Sequence, residues 1–238
     1  SSRKMGLQSI VVLEWPGELD LWRGRAAKTN ARPRIGSRVK LASSVGGVWS
    51  ESGGESSVFG LTPPQVIEVI DRLRESGMLD CLELLHYHLG SQVPNTREIR
   101  DAIHEAARYY VSLVQEGARM GILDIGGGLA IDYDGSKCNC ASSANYDVFE
   151  YAADVVEGVL AMCNQAGIGH PVLVSESGRA LVGYYSVLLV NVLNTSSFEV
   201  PEPPEPMPEP VPEPIRNLMD VAAGLKTRNL REFYNDAR

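Results

Sequence analysis

The residues of this sequence that could do chemistry are concentrated in three short segments, 88–91 (HLGS), 124–128 (DIGGG) and 176–179 (ESGR). Each segment follows a stretch whose β-branched and apolar residues predict a β-strand. In the first, a histidine ring could stack on a flat ligand; in the second, consecutive glycines could let backbone N–H groups approach an anion. The third places an arginine beside a carboxylate, so it could bind both a cationic nitrogen and an anionic group.

Pyridoxal phosphate is the ligand that needs this combination of groups. We assign its phosphate to the turn of Gly126, Gly127 and Gly128, although a tight structural turn explains the same glycines equally well. Arg179 and the backbone around Gly178 would help to bind the phosphate. None of the five lysines of this sequence lies where the aldehyde of the cofactor would need it.

His88 and Glu176 are the predicted catalytic residues. Glu176 could keep a pyridine nitrogen protonated, which would make the ring an electron sink; a structural ion pair with Arg179, at the end of a buried strand, is the alternative. His86 and His88 face the same side of a predicted strand, so they could instead be satisfied core residues or begin a metal site. Further ligands for that metal are not evident on later predicted strands, so we predict that the protein has no metal site. Arg38, at the end of an earlier strand, is a further inward cation.

Composition excludes several classes of protein. The net charge of −8 argues against a surface that binds nucleic acid, since such a surface must neutralise phosphates. Apolar runs stay well below the ~18 residues of a membrane span, so we expect no membrane segment. The N-terminus, SSRK, lacks the apolar core of a secretion signal, and we therefore expect a cytoplasmic protein.

The four cysteines do not form paired CxxC motifs, which argues against a zinc ribbon. Cys81 and Cys163 lie in apolar contexts and are expected in the core. Cys138 and Cys140 lie in a polar loop, where reduced thiols are a more common outcome than a metal or redox pair.

Short predicted strands alternate with longer predicted helices. Such alternation predicts an α/β fold of parallel strands with covering helices. The functional residues follow strands, as on the catalytic face of a (β/α)8 TIM-type barrel; an open doubly wound sheet is the alternative. Because five units cannot close eight strands, residues 1–198 are predicted to form part of a barrel. The predicted strands are 9–14, 34–42, 81–88, 121–125 and 171–176, and the predicted helices are 18–28, 63–77, 96–117 and 146–166.

The segment 199–214 (EVPEPPEPMPEPVPEP) differs sharply in composition from the rest. Alternating proline and glutamate predict an extended, self-repelling linker. Residues 215–238 regain helical periodicity and are predicted to start a helical segment.

Several motifs together resemble the biosynthetic arginine decarboxylases, which are pyridoxal-phosphate enzymes with an alanine-racemase-like barrel. The likeness extends over about residues 5–195 and rests on the motifs as a set. The matching stretches are 32–36 (RPRIG), 52–55 (SGGE), 59–61 (FGL), 77–82 (GMLDCL), 88–92 (HLGSQ), 123–128 (LDIGGG), 132–135 (DYDG) and 175–180 (SESGRA).

The resemblance implies decarboxylation of L-arginine to agmatine for polyamine and spermidine synthesis, a magnesium requirement, and self-association of the intact enzyme. Another fold-type III decarboxylase, acting on ornithine or diaminopimelate, and a non-catalytic regulatory homologue are the alternatives. The implied roles are ring stacking for His88, phosphate binding for Ser91, Gly126, Gly127, Gly128 and Arg179, pyridine binding for Glu176, an inward charge for Arg38, and a substrate border that includes Asp132 and Tyr133.

The sequence also departs from the family pattern. The family's cofactor-binding lysine is expected upstream of Ser1, so we expect these 238 residues alone to be inactive. Val58 replaces a lysine before Phe59, which affects a subunit contact, and Tyr184 and Tyr185 replace a histidine pair.

Overall fold

The computed structural model of the protein describes residues 7–43, 57–195 and 210–224. Strands and helices alternate along the chain, and a short 3-10 helix, Leu79–Cys81, precedes the third strand. The elements are β1 (Val11–Leu13), α1 (Glu18–Thr29), β2 (Ile35–Arg38), α2 (Pro63–Glu75), β3 (Leu82–His86), α3 (Thr96–Gln115), β4 (Ile122–Asp124), α4 (Val148–Ala166), β5 (Val172–Val174), α5 (Gly178–Val182) and α6 (Glu213–Gly224).

The five strands form one sheet in the order β1-β2-β3-β4-β5, and every neighbouring pair is parallel. This confirms the predicted α/β class. A doubly wound sheet reverses its strand order at a switch point, and the strands described here show no reversal, so that alternative is wrong for them. Each observed strand lies inside its predicted range, so the sequence overestimated strand lengths but found all the strands of the described residues.

Local signals in the sequence set the helix boundaries. Helix α2 begins with Pro63, and Thr62 and Gln65 form a reciprocal capping box at its start. Helix α4 has an equivalent box between Asp147 and Glu150. It ends at Gly167, whose φ of 65° is the left-handed conformation that glycine adopts at little cost. These caps fix where each helix meets the loop that precedes it.

The core joins one face of the sheet to the helices. Leu13, Leu85 and Leu123 lie on the same face of β1, β3 and β4, fully buried in one cluster with apolar residues of α2, α3 and α4. Helices α3 and α4 pack closely because Gly158 has no side chain: a Cβ there would lie 3.0 Å from Ile103 Cγ2. This packing holds the strands, and therefore their carboxyl ends, in fixed positions.

Strand β5, which precedes Glu176, is exposed, whereas the sequence predicted a buried strand there. Among the described strands it pairs with β4 alone, and Val172 and Val174 are 65% and 39% exposed. Glu176 is exposed as well. The prediction of a carboxylate at a buried strand end was therefore wrong, because the position of a strand at the side of a sheet is not visible in its own apolar sequence.

The chain divides into two compact units, Ser1–Val187 and Leu188–Arg238. In the second unit, helix α6 begins at Glu213 with Pro214 in its first turn, where proline is tolerated. Most of the predicted linker, and the end of the predicted helical segment, lie outside the described residues. Within the described part of the chain, no helix is both long and apolar enough to cross a membrane.

We expect the substitution Leu85→Ala to destabilise the protein by about 2–5 kcal/mol, because it removes a fully buried side chain and leaves a cavity. Leu21→Ala is the matched control, since Leu21 lies on α1 and is 70% exposed, and we expect a change of about 0.5 kcal/mol or less. Urea denaturation followed by circular dichroism measures both. Equal losses in the two variants would contradict the proposed core.

Candidate functional site

Three polar side chains form a row across the sheet at its carboxyl end. Arg38 on β2 is the register partner of His86 on β3, and His86 is the partner of Asp124 on β4. Side chains alternate between the two faces of a strand, so these three lie opposite the face that carries Leu85 and Leu123. His86 and Asp124 are largely buried, and His86 Nδ1 lies 3.2 Å from Asp124 Oδ2.

Backbone hydrogen bonds extend the pairing beyond the strand ends. The N–H of Val39 donates to the carbonyl of His86, and the N–H of Tyr87 donates to the carbonyl of Asp124. The N–H of Glu176 donates to the carbonyl of Gly126 over 2.8 Å. The structure therefore brings the segments after β3, β4 and β5 together, as the sequence predicted for three parallel strand ends.

The glycine turn after β4 requires glycine at its first position. Gly126 has a φ of +64°, and a Cβ there would lie 2.4 Å from the carbonyl oxygen of Tyr87. Its N–H donates to Asp124 Oδ1 over 3.0 Å. The buried carboxylate thus fixes the start of the turn, and no other residue type fits there.

His88 lies half-buried against this turn. Its Nδ1 accepts a hydrogen bond from the N–H of Gly127 over 3.3 Å. A Cβ on Gly127 would lie 3.3 Å from both His88 Cε1 and the carbonyl oxygen of Glu176. The imidazole, the glycine turn and the Glu176 backbone are therefore adjacent, which is the convergence that the sequence predicted.

The electrostatic environment favours the neutral form of His88. Burial lowers its pKa most, followed by the charge of Arg38 and then by His86, whereas Glu176 and Asp124 oppose this shift. A neutral ring with Nδ1 as acceptor leaves its Nε2 as the donor. The ring is consequently held in one tautomer and one orientation beside the turn.

Arg179 contacts a different partner from the one considered in the sequence analysis. Its Nη2 donates to Ser91 Oγ over 2.9 Å, and its Nη1 donates to the hydroxyl of Tyr133 over 3.1 Å. The structure records no ion pair between Arg179 and Glu176 within the described residues. The alternative of a structural Glu176–Arg179 pair is thus wrong, because α5 turns the guanidinium towards the loops after β3 and β4. Gly178 is the first residue of α5.

Arg38 is held in place from two sides. Its Nη1 lies 2.7 Å from Glu14 Oε1, and its guanidinium carbon lies 5.1 Å from the centre of the Phe59 ring. Ion pairing and the cation–π contact together fix the charge that acts on His88.

The loop after the glycine turn carries Asp132 and Tyr133. Asp132 lines an open cavity of about 770 Å³, together with Ser175, Ser177 and Tyr184, but His88 and Glu176 do not line it. The Tyr184 hydroxyl donates to the carbonyl of Asp132 over 2.9 Å. Asp132, predicted to border the substrate, thus lines a cavity beside the glycine turn. Tyr133 is connected to the site by its hydrogen bond with Arg179.

Sequence reasoning missed Asp124 as a member of the site. Ligand atoms of His86, Asp124 and Glu176 all lie within 4.8 Å of one another, a grouping that could also hold a metal ion. The spacing offered a signal: His86 precedes His88 by two residues, and Asp124 precedes Gly126 by two. In-register parallel strands place such equivalent positions side by side.

Comparison with known proteins gives the site a context. Residues 8–183 match the family model described as pyridoxal-dependent decarboxylase, pyridoxal binding domain. Biosynthetic arginine decarboxylases from Thermosynechococcus vestitus and Vibrio cholerae are 45% and 41% identical over 99% of this chain. The chain spans 37% of the length of each of these relatives.

Solved structures support the barrel prediction. The biosynthetic arginine decarboxylase from Campylobacter jejuni matches with a TM-score of 0.63 and 29% identity, over 98% of this chain and 38% of that one. Diaminopimelate decarboxylase from Helicobacter pylori, complexed with L-lysine, matches with a TM-score of 0.62 at 20% identity, over 76% of this chain and 42% of that one; this likeness concerns the fold alone. The described sheet is accordingly part of the predicted alanine-racemase-like barrel.

We expect the substitution Arg38→Met to raise the pKa of His88, because it removes a cation that disfavours the imidazolium. Arg34→Met is the control, since Arg34 directly precedes β2, at the other end of that strand, and forms its ion pair with Glu83. Nuclear magnetic resonance titration of the four histidines measures the pKa, and His88→Gln identifies the signal. An unchanged His88 titration in Arg38→Met would contradict this arrangement.

The same pKa shift predicts a direction for stability. Because the folded-state pKa of His88 is lowered, the unfolded chain binds more protons between that value and about 6.5. The stabilising contribution is therefore complete above about pH 6.5 and is lost as the pH falls towards the folded-state pKa. In His88→Gln, this part of the pH dependence should disappear from urea denaturation curves.

Proposed function

Because the chain belongs to the family of pyridoxal-dependent decarboxylases, we propose that it forms the cofactor-binding part of an arginine decarboxylase. The observation that carries the proposal is the contact of Gly127 with both the His88 ring and the Glu176 backbone. Through it, a ring-stacking group and an anion-binding turn would lie next to the residue whose carboxylate would pair with the pyridine nitrogen.

The residues of this site fit pyridoxal phosphate. Arg179 and Ser91 form a cation–hydroxyl pair, and the backbone carbonyl of Gly90 would lie 3.3 Å from a Cβ on Gly128, so the pair adjoins the glycine turn. A phosphate needs such hydrogen-bond donors around a side-chain-free backbone. Ser91, Arg179 and the N–H of Gly128 would donate to the phosphate. Gly126, Gly127 and Gly178, whose N–H groups donate to Asp124, His88 and the carbonyl of Glu176, would let the backbone approach it closely.

When bound, pyridoxal phosphate supplies an electron sink for the charge that remains after carbon dioxide leaves an amino acid. His88 would offer a flat, neutral surface to the ring, and its bond with Gly127 would prevent it from rotating. Glu176 would hold a proton at the pyridine nitrogen, and its exposed carboxylate is free of an arginine partner in the described structure. Arg38 would keep His88 uncharged, so that Glu176 is not neutralised by a neighbouring imidazolium.

L-arginine is the proposed substrate, with agmatine for polyamine and spermidine synthesis as the product. The arginine decarboxylases match nearly the whole chain at 41–45% identity, and that extent of similarity favours arginine over ornithine or diaminopimelate. Asp132 and Tyr133 would border the substrate, beside the cavity that Asp132 and Tyr184 line.

The proposal has four further parts. The intact enzyme would self-associate, although Val58 replaces a lysine expected at a subunit contact and is 84% exposed. Magnesium and a cytoplasmic location stay expectations. The 238 residues alone are proposed to be inactive.

We expect Arg179→Gln to weaken binding of pyridoxal phosphate by about ten- to a hundredfold, since a charge-assisted hydrogen bond is worth about 1.5–3 kcal/mol. Binding of pyridoxal, which lacks the phosphate, should change little. Arg97→Gln, which removes the same charge from the exposed start of α3, is the matched control. Isothermal titration calorimetry measures all three proteins. An equal loss for both ligands would contradict the assignment of Arg179 to the phosphate.

The function itself is tested with carboxyl-labelled L-arginine. The 238-residue chain and the product of the complete coding region that contains it are each incubated with pyridoxal phosphate, and carbon dioxide and agmatine are measured. We expect turnover only by the product of the complete coding region. Its His88→Ala variant should lose most of the activity. His170→Ala should not, because His170 contacts Asn164 away from the site.

Each other outcome has a defined meaning. Turnover by the 238-residue chain would overturn the proposal that it is inactive alone. Release of carbon dioxide from ornithine or diaminopimelate, but not from arginine, would replace the proposed substrate. A complete protein that binds the cofactor and turns over none of the three would favour the non-catalytic regulatory homologue.

A further inference from the structure

The loop between β4 and α4 holds two cysteine thiols in contact. Cys138 Sγ lies 2.9 Å from Cys140 Sγ, with Cys138 as the hydrogen-bond donor. A covalent S–S bond is about 2.05 Å long, so the sulfurs need to approach by less than ~1 Å. We propose that Cys138 and Cys140 form a thiol–disulfide exchange site that reacts with low-molecular-weight disulfides. This inference does not depend on the proposed cofactor site.

Hydrogen bonds divide the roles of the two thiols. The bond that Cys138 donates, followed by one from Ser142, lowers the pKa of Cys140, and the same donation raises the pKa of Cys138. Ser136 Oγ also lies 3.0 Å from Cys138 Sγ and 3.9 Å from Cys140 Sγ. Cys140 is therefore the nucleophile, and Cys138 is the protonated partner that resolves the first product.

A carboxylate beside the pair limits how far this activation goes. The Cys140 thiol donates to Asp134 Oδ2 over 3.8 Å, which favours its protonated form, and hydrogen bonds from Ser136 and Ser142 lower the pKa of Asp134, so it stays ionised. Its negative charge also contributes to the raised pKa of Cys138. One negative charge on the dithiol is consequently favoured over two.

Accessibility separates this pair from the other cysteines. Cys138 is exposed and Cys140 is half-exposed, whereas Cys81 and Cys163 are buried. Burial also raises the pKa of Cys163. A disulfide reagent can therefore reach the loop pair in the folded protein, and the buried pair provides an internal control.

The exchange balances in two steps. The Cys140 thiolate attacks one sulfur of a small disulfide, forms a mixed disulfide and releases one thiolate. Cys138 then loses its proton to water and attacks Cys140 Sγ, which breaks the mixed disulfide and releases the second thiolate. The two cysteines lose two electrons in total, and the small disulfide gains them as two thiols.

Such a disulfide would be easily reversed. The ring that it closes spans Cys138, Asn139 and Cys140, and a short ring gains little from the loss of chain entropy. Disulfides with little stabilisation have the more oxidising potentials that characterise labile bonds. The pair is thus suited to exchange rather than to permanent cross-linking.

The loop pair is connected to Asp132. The N–H of Cys138 donates to Ser143 Oγ over 3.1 Å, and Ser143 Oγ donates to Asp132 Oδ1 over 2.6 Å. A disulfide that moves Cys138 therefore changes the support of the Asp132 carboxylate.

The test treats the purified chain with oxidised glutathione under nitrogen, blocks remaining thiols at low pH and measures the loop peptide by mass spectrometry. We expect wild type to lose two hydrogens within that peptide, Cys138→Ser to stop at a glutathione adduct on Cys140, and Cys140→Ser to react slowly. Cys81 and Cys163 should react at a significant rate only when urea unfolds the protein. Circular dichroism confirms that each variant is folded.

A second measurement follows the rate of alkylation against pH. The midpoint for Cys140 should lie below that of an ordinary thiol, about 8.5, and should return towards it in Cys138→Ser. A stable adduct in wild type without the internal disulfide, a disulfide between two chains, or an ordinary Cys140 midpoint that Cys138→Ser leaves unchanged would each overturn the proposal.

Discussion

The in-register pairing of parallel strands is the constraint on which the site depends. Because β2, β3 and β4 run in the same direction without a register shift at their carboxyl ends, Arg38, His86 and Asp124 form one row. The next residues of each strand then continue into loops at the same edge. The fully buried leucines on the opposite face, such as Leu85 and Leu123, make this register costly to change, since a slip of one residue would move them out of the core.

From that row, the site is built by backbone rather than by long side chains. Asp124 accepts the N–H of Gly126, Gly127 donates to His88, and the carbonyl of Gly126 accepts the N–H of Glu176. The first bond lies within the turn after β4, and the other two join that turn to the segments after β3 and β5, so all three segments are connected. The lowered pKa of His88 follows from the same geometry, because the pairing of β2 with β3 places the cation of Arg38 near the imidazole.

Local features were predictable and non-local ones were not. The five described strands and the glycine turn follow from neighbouring residues, and the sequence identified them. The exposed position of β5, the contact of Arg179 with Ser91 and the inclusion of Asp124 depend on which elements lie next to each other. Ser91 and Arg179 are separated by 88 residues, and no pattern within either segment reveals that they meet. The family resemblance supplied roles for these residues, but their contacts had to come from the fold.

The loop after β4 borders the site and is held at both of its ends. Gln92 accepts the N–H of Ile131 and donates to its carbonyl, while the Tyr146 hydroxyl accepts the N–H of Ala130 and donates to the carbonyl of Val93. These bonds fasten both ends of the loop to the segment after β3. The stretch between them, with Cys138 and Cys140, can therefore change in sequence or oxidation state without disturbing the glycine turn, and its effect on the site passes through Ser143 and Asp132.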